Sequence, residues 1–311
     1  MSINKVFITG ATGYLGGSVA HLLLQKGYQV SALVRKDSDA EKLQALGITP
    51  IMGTIHNMPV LRKAATDADA VIHTADADDF FSVITFLEEL KGTGKTFIFT
   101  SGSSLVGDNA KGEKGNIVYS EDIPVQPRLE KLHRVAINDH ILAAAKDNVR
   151  SIVLVPTMVY GKGLGIKPDS IQVPMLIDIS KQKKAGVYIE KGENIWSNVH
   201  IEDLAELYIL ALERANAGSY FYTENGSASL KDVAISISKM LGFEGKTESI
   251  SLDTAIEKWG PDASAFGFAS NSIVNSDKAK KLLGWNPKHS SILEDIATGS
   301  YHKIHVATRE I

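Results

Sequence analysis

Three groups of residues in this 311-residue chain could carry chemistry. The first is Thr9-Gly10-Ala11-Thr12-Gly13-Tyr14-Leu15-Gly16, between an apolar run and an amphipathic one. Gly10 permits a tight turn, Gly13 lets backbone approach a pyrophosphate, and Gly16 lets a helix pack closely on a strand. The unpaired N–H groups and positive dipole of that helix would face the anion. The second is Arg35, where a second strand ends. An acidic residue there would bond a ribose 2′-hydroxyl, but Asp37 and Asp39 lie beyond the strand tip. Arg35 offers a planar cation for a 2′-phosphate, so NADP(H) is expected over NAD(H). The third is polar: Ser103 and Ser104 after an apolar strand, and the basic run Lys131, His133, Arg134. Either serine could hydrogen-bond a substrate carbonyl or simply cap a turn. His133 carries an imidazole and could supply a proton, although two residues from Lys131 it cannot share that residue's helix face. Trp196 is either a substrate wall or core. The nine histidines show no HxH or HxxxH spacing, so no metal site is expected.

The surrounding pattern says what must position these groups. Val6–Thr9, Gln29–Val34, Ile48–Met52, Ala70–Thr74, Thr96–Thr100 and Ile152–Val155 read as short strands, the first buried and Phe97–Phe99 and Ile152–Val155 apolar enough to be buried on both faces. Tyr14–Lys26, Ser38–Leu46, Pro59–Thr66 and Asp79–Leu90 read as the helices between them, and Pro127–Lys146 as a longer one. Ile201–Arg214 and Ser229–Leu241 are further helices. Strands separated by helices of this length require crossovers and a parallel sheet. Residues 102–126 form a long polar loop, the kind that is usually functional or mobile. After Pro156 the periodicity is irregular.

Composition narrows the classes. The chain is 44% hydrophobic and 22% charged, ordinary for a globular protein, with a formal charge of −3. That charge gives no case for nucleic acid. The absence of cysteine removes disulfides, thiolate metal sites and cysteine nucleophiles. Met-Ser-Ile-Asn-Lys runs straight into a strand pattern, and no apolar run approaches the ~20 residues of a membrane span. No signal peptide and no membrane association are expected, and a cytoplasmic location is.

Four ordered motifs carry a family resemblance. TGATGYLGG resembles the cofactor loop of the extended short-chain dehydrogenase/reductases, the epimerase/dehydratase group. Val155-Pro156-Thr157-Met158-Val159-Tyr160-Gly161 resembles that family's sixth-strand turn beside the nicotinamide ribose. Val199-His200-Ile201-Glu202-Asp203-Leu204 resembles its "VHVDDL" segment, and Lys281-Leu282-Leu283-Gly284-Trp285-Asn286-Pro287 its "LLGWxP" signature. The resemblance implies cofactor contacts from Gly10, Thr12, Gly13, Tyr14, Leu15, Gly16, Arg35, Thr54, Ile55, Thr74, Ala75, Ser101, Pro156 and Val159. It implies substrate contacts from Ser104, Tyr160 and Trp196.

The family's catalytic Tyr-x-x-x-Lys pair is missing. None of the nine tyrosines has Lys four residues on. In the expected window either Glu130 and Arg134, or Lys131 and Val135, occupy the two places. Gly102 stands where the family usually has its catalytic Ser or Thr, with Ser103 beside it. The chain therefore resembles an atypical subgroup, some of whose fungal members are NADPH-dependent aldehyde reductases.

The expected fold is α/β. A Rossmann sheet would span residues 1–160, and a smaller substrate lobe 161–311, with segments around 195–220 returning to the sheet. The expected function is NADPH-dependent reduction of a small aldehyde or ketone, with Ser103, Lys131, His133 and Arg134 as catalytic candidates. Two alternatives stand beside it: an NAD(P)-dependent epimerase or dehydratase of a sugar-nucleotide-like substrate, and a non-catalytic NADP(H)-sensing protein. The oligomeric state is left open.

Overall fold

In a computed structural model that describes residues 3–289 and 291–306, the apolar runs become strands; those at the centre of the sheet are buried on both faces, and the edge strand from Thr49 to Met52 is partly exposed. The first half alternates strand and helix: β1 (Lys5–Thr9), α1 (Tyr14–Gln25), β2 (Gln29–Val34), α2 (Asp37–Ala45), β3 (Thr49–Met52), α3 (Met58–Asp67), β4 (Ala70–His73), α4 (Phe80–Leu90) and β5 (Thr96–Thr100). Local chemistry sets their ends. Gly27, at φ 87°, lets the chain turn after α1. Asp79 caps α4 by accepting from the Phe81 and Ser82 backbone N–H groups at 3.3 and 3.2 Å. α5 (Leu132–Ala143) and β6 (Arg150–Pro156) follow.

The helix expected over 127–146 is shorter. A 3-10 turn at Leu129–Lys131 precedes α5, and another at Ala144–Asp147 follows it. Tertiary contacts hold the residues before α5 out of the helix. Arg128 Nη1 donates to the Asp108 carbonyl at 3.1 Å, and Lys131 Nζ reaches Asp262 at 3.1 Å.

Beyond β6 lie β7 (Met158–Tyr160), α6 (Gln172–Lys183), β8 (Gly186–Ile189), β9 (Ile195–His200), α7 (Ile201–Arg214), β10 (Ser219–Thr223), β11 (Ser227–Ser229), α8 (Leu230–Met240), β12 (Thr247–Ile250) and α9 (Leu252–Ala263). Then come α10 (Asp277–Leu283), α11 (Ile292–Thr298) and α12 (Ser300–His305). The regular elements after Pro156, α6 among them, are more numerous than the sequence pattern suggested.

Seven strands form one parallel sheet in the order β10-β6-β5-β4-β1-β2-β3. One face packs on α1 and α7, the other on α3, α4 and α5. A third apolar cluster draws Met158, Leu176, Trp196, Ile237 and Phe268 together beside a three-stranded β11-β9-β7 sheet and a β12-β8 pair. No helix among the described residues is long and apolar enough to cross a membrane.

The sheet order reverses direction between β1 and β4. In open α/β sheets the crevice beyond the strands' carboxyl ends at such a switch point is where ligands bind. The glycine loop follows β1, Arg35 follows β2, Thr54 and Ile55 follow β3, and Thr74 and Ala75 follow β4. Ser101 to Ser104 follow β5, and Pro156 to Val159 close β6 and enter β7. All therefore lie along one edge.

Candidate active site

The glycine loop is shaped by what its glycines lack. Gly10 sits at φ 79°, and its carbonyl accepts from the Gly13 N–H at 2.9 Å, closing the turn. A Cβ on Gly16 would fall 2.4 Å from both the Gly10 carbonyl oxygen and Thr74 Oγ1. Helix, loop and β4 thus meet where no side chain fits. A Cβ on Gly13 would meet only the Gly10 oxygen, at 3.1 Å, so that face of the loop is open. Thr74 Oγ1 donates to the Thr9 carbonyl at 2.7 Å and ties β1 to β4. Tyr14 turns away from this face: its hydroxyl donates to the Gly161 carbonyl at 2.9 Å, and burial pushes its pKa far up. The first-turn N–H groups of α1 and the open Gly13 face fit a pyrophosphate. Arg35 and Thr54 are exposed at the far end, where an adenosine half would extend.

Beside the carboxyl end of β5 and the start of β7 lies a cavity of about 440 Å³. Ser104, Lys131 and Arg134 line it together with Asp78, Asp262, Trp196, Met158, Met175, Phe266 and Phe268. Lys131, at the end of the 3-10 turn, and Arg134, in the first turn of α5, both line it.

Arg134 organises the polar end. Its Nε donates to Asp78 Oδ1 at 2.9 Å, its Nη2 bonds Asp78 Oδ2, and its Nη1 donates to Ser104 Oγ at 2.9 Å. Gly102 makes room for this guanidinium, since a Cβ there would lie 3.2 Å from Nη1. Burial works against the Asp78 carboxylate. Arg134, and then His133, outweigh it and hold that carboxyl below its usual range. Because Ser104 Oγ accepts from Arg134, its own proton remains to be donated elsewhere. One turn further on, Asn138 Nδ2 donates to Ser101 Oγ at 3.1 Å and braces the end of β5.

Lys131 forms the other charged wall. Its side chain is 10% exposed, and its partner Asp262 is 82% exposed. Gly260, at φ 79°, interrupts α9 and sends Pro261–Phe268 across the cavity, ending in a π turn over Ser264–Phe268. Trp196 is 7% exposed; its ring borders the cavity while Nε1 donates to the Ser270 carbonyl at 2.8 Å.

Three candidates lie elsewhere than expected. Ser103 is 2% exposed, and its Oγ takes a 2.9 Å hydrogen bond from Ser272 Oγ, so the short 3-10 turn after β5 presents Ser104 instead. His133 points outward to Asp78 Oδ1, at 2.7 Å, and does not line the cavity. Tyr160 is fully buried, edge-on to His200 in the third apolar cluster, with no surface for a substrate. Glu130 is exposed outside the cavity lining, and no tyrosine is among the lining residues. Asp78, Asp262 and the Phe266 wall were not foreseen. The acidic run Asp76-Ala77-Asp78-Asp79 after β4 was visible, but nothing in it singled out Asp78.

His200, Glu202 and His289 bring possible metal-ligand atoms within 4.8 Å of one another. The two imidazoles stack in parallel, with centroids 3.8 Å apart and 8° between planes. A metal must lie near the plane of each ligating ring, so this pair is a packing contact rather than a chelate.

Comparison with known proteins agrees with this architecture. The model of the NAD dependent epimerase/dehydratase family matches residues 6–221. An uncharacterized protein of Schizosaccharomyces pombe is 35% identical over 96% of this chain and 99% of its own length. A 4-hydroxy-2-methyl-3-oxo-4-farnesyl-3,4-dihydroquinoline-1-oxide ketoreductase of Stigmatella aurantiaca is 24% identical over 90% of this chain and 91% of its own. Among solved structures, a dTDP-glucose 4,6-dehydratase from Bacillus anthracis in complex with NAD superposes with a TM-score of 0.77. It is 17% identical, and the match covers 98% of each chain. These likenesses fit the epimerase/dehydratase expectation better than that of a small-carbonyl reductase.

Proposed function

The chain belongs to the NAD dependent epimerase/dehydratase family, and from that premise we propose that it is a nicotinamide-dependent oxidoreductase working in the direction of carbonyl reduction. The observation that carries this reading is the polar end of the cavity. Its donors are a serine hydroxyl backed by a guanidinium, with an ammonium opposite and no phenol.

The glycine loop, Thr74 and the first turn of α1 would hold the dinucleotide's phosphates, with Arg35 at the 2′-position of an NADP(H). A nicotinamide held there would supply hydride chemistry. Ser104 donates to the substrate's carbonyl oxygen, and Arg134, fixed by Asp78, strengthens that donor and stabilises the charge that develops on oxygen. Lys131, paired with Asp262, adds a second positive group to the cavity lining. Proton delivery falls to Lys131 or to water along the cavity mouth.

A sugar epimerase or dehydratase needs a base to take a hydroxyl proton. The nearest carboxylate, Asp78, is held in its ionised form by Arg134 and His133 and is a weak base for that reason. The family match and the dehydratase-like fold favour epimerase/dehydratase chemistry as a second reading. Incubating the protein with NADPH and a carbonyl panel, and separately with NAD(P)+ and a panel of sugar nucleotides, tests both. Stoichiometric loss of NADPH with alcohol formation supports reduction. Isomerised or dehydrated sugar nucleotide with no net change in cofactor supports the second reading. Cofactor binding without either outcome fits a sensor.

A further inference from the structure

We infer that the cavity takes an uncharged, largely apolar carbonyl compound and rejects anionic substrates, nucleoside-diphosphate sugars included. The assay of turnover rests on the carbonyl-reduction reading; the binding preference does not.

The cavity holds two cations and two anions, and each cation already has its partner. Arg134 is forked onto Asp78 and Lys131 is paired with Asp262. The local charge therefore sums to zero. An incoming phosphate or carboxylate would have to displace one of these aspartates or sit beside it. Either choice sets the new anion against an aspartate or leaves that aspartate without its cation, and the penalty is greatest at Arg134, whose side chain is 12% exposed. A diphosphate would need free cations, and none of the lining residues offers one.

The remaining walls point to what is accepted. Met158, Met175, Trp196, Phe266 and Phe268 give two thioethers and three aromatic faces around one polar end. Methionine adapts its shape to varied apolar surfaces, and aromatic rings bury large area. The volume lies within the roughly 300–1,000 Å³ that encloses small organic ligands. A carbonyl at the Ser104 end would leave an alkyl or aryl body against the Met–Trp–Phe surface.

The test uses matched pairs. Methyl 4-formylbenzoate and 4-formylbenzoate differ by one charge and one methyl group, and n-alkanals from propanal to octanal differ only in apolar length. Turnover is measured with NADPH. Binding is measured by calorimetry on the cofactor-free protein, with the corresponding alcohols and with UDP-glucose.

The neutral ester is expected to exceed the carboxylate by at least thirtyfold in both binding and kcat/KM. Each added methylene that the wall buries is expected to raise kcat/KM by up to about fourfold. Asp262→Asn, which frees Lys131, should shrink the neutral-to-carboxylate ratio about tenfold. Tighter binding of the carboxylate or of UDP-glucose, no binding by any neutral member, or an unchanged ratio in Asp262→Asn overturns the inference. If the neutral alcohols bind with this preference and no aldehyde is reduced, the reduction reading fails while the substrate class stands.

Discussion

Removing the Arg134 guanidinium tests the catalytic reading most directly. In Arg134→Ala, Ser104 loses the charged donor at 2.9 Å and Asp78 loses its fork. Hydrogen bonds to charged groups are worth about 1.5–3 kcal/mol each, but the Asp78 side chain is 44% exposed and water can replace part of its loss. The expected fall in stability is therefore only about 1–2 kcal/mol, read from urea denaturation. The effect on turnover should be larger. A preorganised group stabilising a developing oxyanion contributes roughly 3–4 kcal/mol, so kcat should drop about 100- to 1000-fold. Arg134→Lys keeps the charge but cannot bond Asp78 and Ser104 at once, and about a tenfold loss is expected. Ser104→Ala should lower kcat about 10- to 100-fold. Ser103→Ala, whose hydroxyl faces Ser272, should stay within about threefold of wild type. A folded Arg134→Ala enzyme with turnover within threefold of wild type refutes the reasoning, as does a Ser103→Ala loss larger than that of Ser104→Ala.

Other expectations follow from the same geometry. Gly13→Val should abolish dinucleotide binding by calorimetry while circular dichroism stays native, because the protein leaves that face open. Gly16→Val should fail to fold, because its Cβ would lie 2.4 Å from the Gly10 oxygen and Thr74 Oγ1. Arg35→Ala should weaken NADPH about tenfold at low salt, less at high salt, and leave NADH unchanged; equal wild-type affinity for both cofactors would remove Arg35 from the site. His73 is buried, its pKa is lowered to about 4 by desolvation, and its ordinary value is near 6.5. The unfolded state thus binds the extra proton between those values. The stability involved is fully present above about pH 6.5 and is lost as pH falls toward 4, with roughly 2 kcal/mol gone by pH 5. Urea midpoints at pH 7 and 5 should show this loss, and His73→Asn should flatten it.

What the sequence determined by itself was local. The turn at Gly10, the open face at Gly13 and the close approach at Gly16 each depend on residues adjacent in the chain and on one strand and one helix. The central strands, such as Phe97–Phe99 and Ile152–Val155, were legible because burial on both faces demands unbroken apolar runs, and the parallel sheet followed from the helices between the strands. Ile201–Arg214 was legible for a similar reason: its apolar stripe alone specifies which face packs inward.

The tertiary structure decided which side chains meet. Ser103 and Ser104 are neighbours of the same type, and only the 3-10 turn after β5 turns the second toward the cavity and the first toward Ser272. Tyr160 sits within a motif that suggested a ligand contact, but the packing of β7 against β9 and His200 removes it from any surface. The Arg134–Asp78 fork joins α5 to the loop after β4, and Lys131–Asp262 joins the start of α5 to the segment that Gly260 turns across the cavity. Such pairs leave no periodic trace, because a hydrogen bond or ion pair depends on separation in space. The polarity and charge balance of the site are consequently properties of the assembled fold.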